Sequence, residues 1–169
     1  MRMMEQDDPR KCTASVLVRK RLAKVARRVS DNRKDTVVLN PFSPQLLLPS
    51  DADTIQRSGL MAVDCSWERA EAIFMKRLRG TSRQLPGLLA ANPVNYARIG
   101  KLSTAEALSA ALYIVGFGAY AEKVLSPFRW GKTFFELNRE LLTEYAGARS
   151  EEEVARIMLD FGVETTNEP

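Results

Sequence analysis

Three short apolar runs, Thr36 to Leu39, Gly59 to Asp64 and Leu85 to Ala91, lie in the first 95 residues, and no further strand signal follows. Each closes on Pro, Asn, Asp or Ser, and runs of this length bounded by turn formers read as buried strands. A very short further strand fits Met1 to Glu5. A basic helical pattern with Val18, Leu22, Val25 and Val29 on one stripe precedes the first run. A second helical pattern starts at Trp67, continues through Ala70, Ile73, Phe74 and Arg77, and has Ser66 placed to cap it. Strands alternating with helices imply an α/β layer whose strands are mostly parallel.

From Ser103 the pattern is helical only. Ser103-Thr104-Ala105-Glu106 has capping-box spacing, and Ala107, Leu108, Ala111, Leu112 and Val115 offer a buried stripe that Gly116 and Gly118 end or bend. A helix over Thr133 to Tyr145 presents Phe134, Leu137, Leu141 and Tyr145. A last helix starts near Glu151 with Val154, Ile157, Met158 and Phe161 inward. The expected architecture is an α/β N-terminal domain over residues 1–95 and an all-helical C-terminal domain over 96–169, joined near Asn95.

Composition excludes several chemistries. Two cysteines, Cys12 and Cys65, imply no disulfide framework, and the absence of histidine removes Ser-His-Asp and Cys-His mechanisms and most zinc sites. No metal is expected. The longest apolar stretch, Ala107 to Ala121, is interrupted by Ser109, Gly116 and Gly118 and is too short to span a bilayer. The opening Met-Arg-Met-Met-Glu has no apolar signal region, so a cytoplasmic protein is expected.

Charge is polarised along the chain. Residues 10–34 carry +9, through Arg10, Lys11, Arg19, Lys20, Arg21, Lys24, Arg27, Arg28, Arg33 and Lys34 against Asp31, whereas residues 135–169 carry −6. The basic segment suits a solvated face or a contact with phosphates or an anionic surface, and charge alone does not separate RNA from DNA or membrane.

Four constellations hold the polar residues best placed for chemistry: Asp7-Asp8-Pro9-Arg10-Lys11-Cys12-Thr13, Leu39-Asn40-Pro41, Val63-Asp64-Cys65-Ser66-Trp67, and Ala90-Ala91-Asn92-Pro93-Val94-Asn95-Tyr96 running into Lys101-Leu102-Ser103-Thr104. Three sit at predicted strand ends, where open α/β sheets gather ligands. Singly, each also fits a turn, a cap or a core position.

Taken in this order from Asp7 to about Tyr145, with Lys-Leu-Ser-Thr-Ala-Glu-Ala-Leu and the segment from Trp130-Gly131 to Leu137-Asn138, the blocks resemble the ribosome-biogenesis aminocarboxypropyltransferase family. The resemblance departs before Asp7, where family members have a fuller first strand. It implies a knotted fold like that of the SPOUT RNA methyltransferases, with a deep trefoil knot and a cofactor cleft between the two domains. It also implies transfer of the 3-amino-3-carboxypropyl group of S-adenosylmethionine to N3 of an N1-methylpseudouridine in small-subunit ribosomal RNA.

By the same resemblance Trp67 and Ala70 enclose the cofactor methyl. Leu39, Pro41, Leu85, Leu102 and Ala107 face adenine, and the Val63 carbonyl meets the ribose. Thr13 and the Thr104 amide receive the methionine carboxylate, a role that agrees with their predicted first-turn positions, where free N–H groups favour an anion. Asp64, close to Trp67 in sequence, is the candidate to take the N3 proton or balance the sulfonium, although an ordinary pKa of about 3.9 makes it a weak base. Arg10, Lys11, Lys20, Lys24, Arg27, Arg28 and Lys101 form the expected RNA-binding patch. The expected partner is small-subunit RNA or a pre-ribosomal subunit, and the expected state a monomer. Two other readings stay open: a SPOUT-like RNA methyltransferase with the cofactor turned, and a non-catalytic RNA-binding assembly factor.

Overall fold

A computed structural model of the chain describes residues 12–26, 33–64 and 79–163. Strand β1 (Val37–Leu39) lies at the centre of a three-stranded parallel sheet, with β2 (Leu60–Ala62) on one side and β3 (Thr81–Arg83) on the other. Val37 aligns with Leu60 and with Thr81, so the three strands share one register. All three residues of β1 are buried, as expected for a parallel strand covered on both faces. A 3₁₀ turn (Pro49–Asp51) leads into α2 (Ala52–Ser58), which carries the chain from β1 back to the start of β2. The α/β class, the parallel sheet and the first two strands agree with the sequence reading.

The third strand does not. The apolar run Leu85 to Ala91 contains only an isolated bridge, Leu89 to Ile99, and β3 is the polar Thr-Ser-Arg just before it. The run is buried without a full ladder because backbone bonds from residues 97–100 serve only Leu88 and Ala90, and side chains serve the rest: Asn138 Oδ1 accepts from the Leu89 amide at 2.8 Å, Asn138 Nδ2 donates to the Leu89 carbonyl, and the Tyr145 hydroxyl donates to the Gly87 carbonyl at 2.9 Å. Gly87 is required here, since a Cβ would stand 1.7 Å from the Val163 carbonyl oxygen.

Helix α1 (Thr13–Arg19) is much shorter than the basic stripe suggests. Arg21 adopts φ +58°, its amide donates to the Val18 carbonyl, and the Leu22 amide reaches the Leu17 carbonyl at 2.9 Å, which is a Schellman termination. Leu17 therefore becomes the buried residue, while Val18 and Val25 are exposed. The same pair of bonds ends α3 (Thr104–Ile114), with Gly116 at φ +87° and the Phe117 amide donating to the Leu112 carbonyl.

Helix α3 buries Ala105, Glu106, Ser109, Ala110, Ala111 and Ile114, a face rotated from the expected one, on which Ala107, Leu108 and Leu112 are only half-buried. Small residues let it lie close to α4 (Gly118–Leu125), and the Ser109 hydroxyl donates to the Ala121 carbonyl at 2.9 Å. The predicted helix over Thr133 to Tyr145 is two helices, α5 (Gly131–Leu137) and α6 (Arg139–Gly147). They break at Asn138, whose buried side chain is engaged with Leu89. Helix α7 (Glu151–Phe161) starts on a Ser150 cap and buries Val154, while Phe161 is exposed rather than inward. Its left-handed stop at Gly162 brings Val163 to Gly87. One hydrophobic cluster includes Leu17, Val37, Leu47, Leu88, Ile114, Phe134, Leu142 and Val154, each of whose buried side chains contributes on the order of 1.5–3 kcal/mol.

The strand suggested at Met1 to Glu5 and the Asp7 to Lys11 block lie outside the described residues. So do Val29 of the basic stripe and the helix suggested from Trp67 to Arg77, with its Ser66 cap.

Candidate active site

The first turn of α3 is built around a buried carboxylate. Ser103 stands in extended backbone before the helix. Its hydroxyl accepts from the Glu106 amide at 3.3 Å, and its own amide donates to Glu106 Oε2 at 2.7 Å, completing the expected capping box. Glu106 does more than cap. With 0% exposure it also accepts from the Ala91 amide at 2.7 Å, the Asn92 amide at 2.9 Å and Asn92 Nδ2 at 2.8 Å. Four N–H donors replace the water that a buried carboxylate loses, so residues 91–92 and the start of α3 are fixed to one another through a single side chain.

Two further segments meet this turn. Cys12 caps α1, its Sγ accepting from the Ser15 amide at 3.4 Å, and its S–H donates to Asp64 Oδ2 at 3.0 Å. The Thr104 hydroxyl donates to the other oxygen, Asp64 Oδ1, at 3.1 Å. The Ala105 amide donates to Thr13 Oγ1 at 3.3 Å. Asp64 follows β2, Cys12 and Thr13 open α1, and Thr104 opens α3, so three elements converge on one carboxylate.

This network uses part of each group's bonding capacity. Thr13 Oγ1 accepts from Ala105, which leaves the hydroxyl its one proton to donate. Because the Thr104 hydroxyl is committed to Asp64, the group Thr104 has for an anion is its first-turn amide, which precedes the intrahelical bonding pattern. A helix start, which favours an anion at the Thr104 amide, therefore stands beside a carboxylate, which favours a cation.

The apolar candidates sit at strand ends, beside helix starts or against the core. Leu39 ends β1 and is buried, and half-buried Pro41 follows it two residues on. Val63, just after β2, is buried, as is Leu102 just before α3, whereas Leu85 and Ala107 are half-buried against the core. Thr13, Asp64 and Thr104 are brought together; Lys20 and Lys24 are exposed, Lys20 at the far end of α1, roughly 10 Å along its axis from Thr13. Lys101 is exposed three residues before Thr104. Trp67, Ala70, Arg10, Lys11, Arg27 and Arg28 lie outside the described residues. Sequence reasoning missed the roles of Cys12 and Glu106. Glu106 was visible as the last residue of the capping box, whereas the partner of Cys12 is 52 positions away and left no local signal.

Among the described residues no group of three His, Cys, Asp or Glu is placed to hold a metal ion, and no helix is long and apolar enough to cross a membrane.

Known proteins resemble the chain over most of its length. Residues 37–161 match the family model for the C-terminal part of ribosome biogenesis proteins. The 16S rRNA aminocarboxypropyltransferase of Methanosarcina acetivorans is 43% identical over 158 residues, covering 92% of this chain and 89% of that protein. The enzyme of the same description from Methanopyrus kandleri is 46% identical over 155 residues, covering 91% and 92%. A solved structure of a SAM-dependent rRNA:acp-transferase from Vulcanisaeta distributa superposes with a TM-score of 0.86 at 38% identity, covering 95% of this chain and 86% of that one.

Proposed function

The chain belongs to the ribosome-biogenesis family of 16S rRNA aminocarboxypropyltransferases, and from that premise we propose how its residues carry out the transfer. It is an enzyme that uses S-adenosylmethionine to place an aminocarboxypropyl group on small-subunit ribosomal RNA. The acceptor we assign is N3 of an N1-methylpseudouridine, a base that must be unstacked to be reached. The fold is read as SPOUT-like with a deep trefoil knot, and the cofactor cleft as lying between residues 1–95 and 96–169. The protein acts as a cytoplasmic monomer and needs no metal.

S-adenosylmethionine supplies a carbon already activated by its sulfonium, so the task left to the protein is orientation. Thr13 Oγ1 and the Thr104 amide hold the amino-acid carboxylate, for which their free donor capacity is suited. Asp64 offers negative charge at the other end of that grip, balancing the cationic sulfonium or receiving the N3 proton. Leu39, Pro41, Leu85, Leu102 and Ala107 give adenine an apolar wall, and the Val63 carbonyl is the acceptor for the ribose. Trp67 and Ala70 cover the methyl, and an indole face is electrostatically favourable next to a sulfonium. Lys20, Lys24 and Lys101, with Arg10, Lys11, Arg27 and Arg28, hold the RNA backbone.

The observation that supports this reading most is the Asp64 carboxylate held between Cys12 and Thr104 at the N-terminus of α3. Mass spectrometry of small-subunit RNA digests from cells lacking the protein tests it. One uridine-derived nucleoside should lose the mass of the aminocarboxypropyl group, and an unchanged digest contradicts the assignment.

A further inference from the structure

The loop between Asn92 and Lys101 presents a side chain that the cofactor site does not use. Tyr96 is 57% exposed and Val94 86% exposed at its tip, and Tyr96 has no ring partner among the described residues. An exposed tyrosine on a mobile loop would carry little meaning, but this loop is tightly built. The Asn95 amide donates to Asn92 Oδ1 at 3.0 Å, the Ala97 amide to the Ala90 carbonyl at 2.7 Å, and the Ala90 amide to the Arg98 carbonyl at 3.0 Å. The Gly100 amide closes the loop onto the Leu88 carbonyl at 2.9 Å. Ala97 holds φ +60°, an uncommon conformation for a residue with a Cβ, which the surrounding bonds maintain.

Placement and charge indicate what this platform meets. Glu106 binds the base of the loop at Ala91 and Asn92 and the start of α3 at Ser103, so the loop and the proposed cofactor grip at Thr104 rise from the same end of the molecule. Residues 92–104 contain Arg98 and Lys101 and no acid. A rigid aromatic surface beside cations, next to the point where a base must arrive, is the arrangement by which proteins stack and hold single-stranded nucleotides.

We propose that the 92–101 loop is a docking platform for the single-stranded RNA around the acceptor base, with Tyr96 stacking on a neighbouring nucleobase and Arg98 meeting the adjoining phosphate. This rests on the RNA-modifying reading and extends it to a specific contact. The test uses transcribed small-subunit RNA as the binding probe and small-subunit particles from cells lacking the enzyme as the transfer substrate. Tyr96→Ala should weaken RNA binding and raise the KM for particles roughly 5- to 100-fold, with cofactor affinity unchanged, and Tyr96→Phe should restore most of the loss. RNA affinity within twofold of wild type in Tyr96→Ala, or an equal loss in Tyr96→Phe, overturns the platform. Failure of the wild-type protein to transfer any label would instead count against the enzymatic reading, while the binding arm still decides the role of Tyr96.

Discussion

The Thr104 hydroxyl donates to Asp64 across 3.1 Å, so the first turn of α3 and the end of β2 share one hydrogen bond at the proposed cofactor grip. Since Cys12 donates to the second Asp64 oxygen, the carboxylate serves as acceptor for two elements at once. An amide cannot do this with both of its heads.

Asp64→Asn should therefore weaken cofactor binding. It removes the negative charge and turns an N–H group toward one of two existing donors. Loss of the charged partner for the cofactor's cationic end is worth about 1.5–3 kcal/mol, or roughly 10- to 160-fold in affinity. Isothermal titration with S-adenosylmethionine measures it, and an affinity within twofold of wild type contradicts the assignment.

Glu106→Gln should destabilise the whole protein. At least one of the four N–H donors now meets another N–H in a buried site, at a cost of about 3 kcal/mol. For a chain of this size that corresponds to a Tm lower by roughly 6–12 °C. A thermal scan showing no decrease would mean that the carboxylate is not the acceptor described.

These two carboxylates show how unevenly the sequence displays its structure. The Ser103 to Glu106 capping box was legible because its chemistry is local, and β1 and β2 were legible because they are apolar and flanked by turn formers. Strand β3 was not, since Thr81-Ser82-Arg83 is polar and half-buried. The 85–91 run was misread as a strand because its partners, Asn138 and Tyr145, lie 49 and 58 residues from the atoms they satisfy. The break at Asn138 has the same cause. Helix α1 looked longer because an arginine, not a glycine, takes the left-handed stop at position 21. At the site, the first-turn positions of Thr13 and Thr104 and the candidacy of Asp64 could be anticipated, but not that Asp64 would hydrogen-bond Thr104 and Cys12 directly.

The two Schellman stops predict opposite outcomes for opposite substitutions. Arg21→Gly removes the left-handed strain of a residue with a Cβ and should stabilise by about 0.5–1 kcal/mol. Gly116→Ala introduces that strain where no atom lies within 4 Å of the new Cβ, so the cost should be backbone alone, about 1 kcal/mol. Denaturant midpoints of the two variants should move in opposite directions, and a shared direction contradicts the motif.

Tyr145 predicts a loss of stability in alkali. Its buried hydroxyl donates to the Gly87 carbonyl, and burial holds its pKa well above the ordinary value of 10.0. The unfolded chain therefore ionises first. The stabilisation is complete below about pH 10 and declines above it by about 1.4 kcal/mol per pH unit until the folded group also titrates. Tyr145→Phe should lower stability by about 1 kcal/mol at neutral pH and flatten the decline above pH 10. An unchanged alkaline slope in Tyr145→Phe would assign the decline to another group.

The amino-acid arm of S-adenosylmethionine, and not its methyl group, is what this enzyme delivers to RNA. Incubating the enzyme and small-subunit particles from cells lacking it with cofactor labelled either in the carboxyl carbon or in the methyl carbon tests this directly. Carboxyl label in the RNA with no methyl label is the predicted result, and methyl label in the RNA without carboxyl label contradicts it.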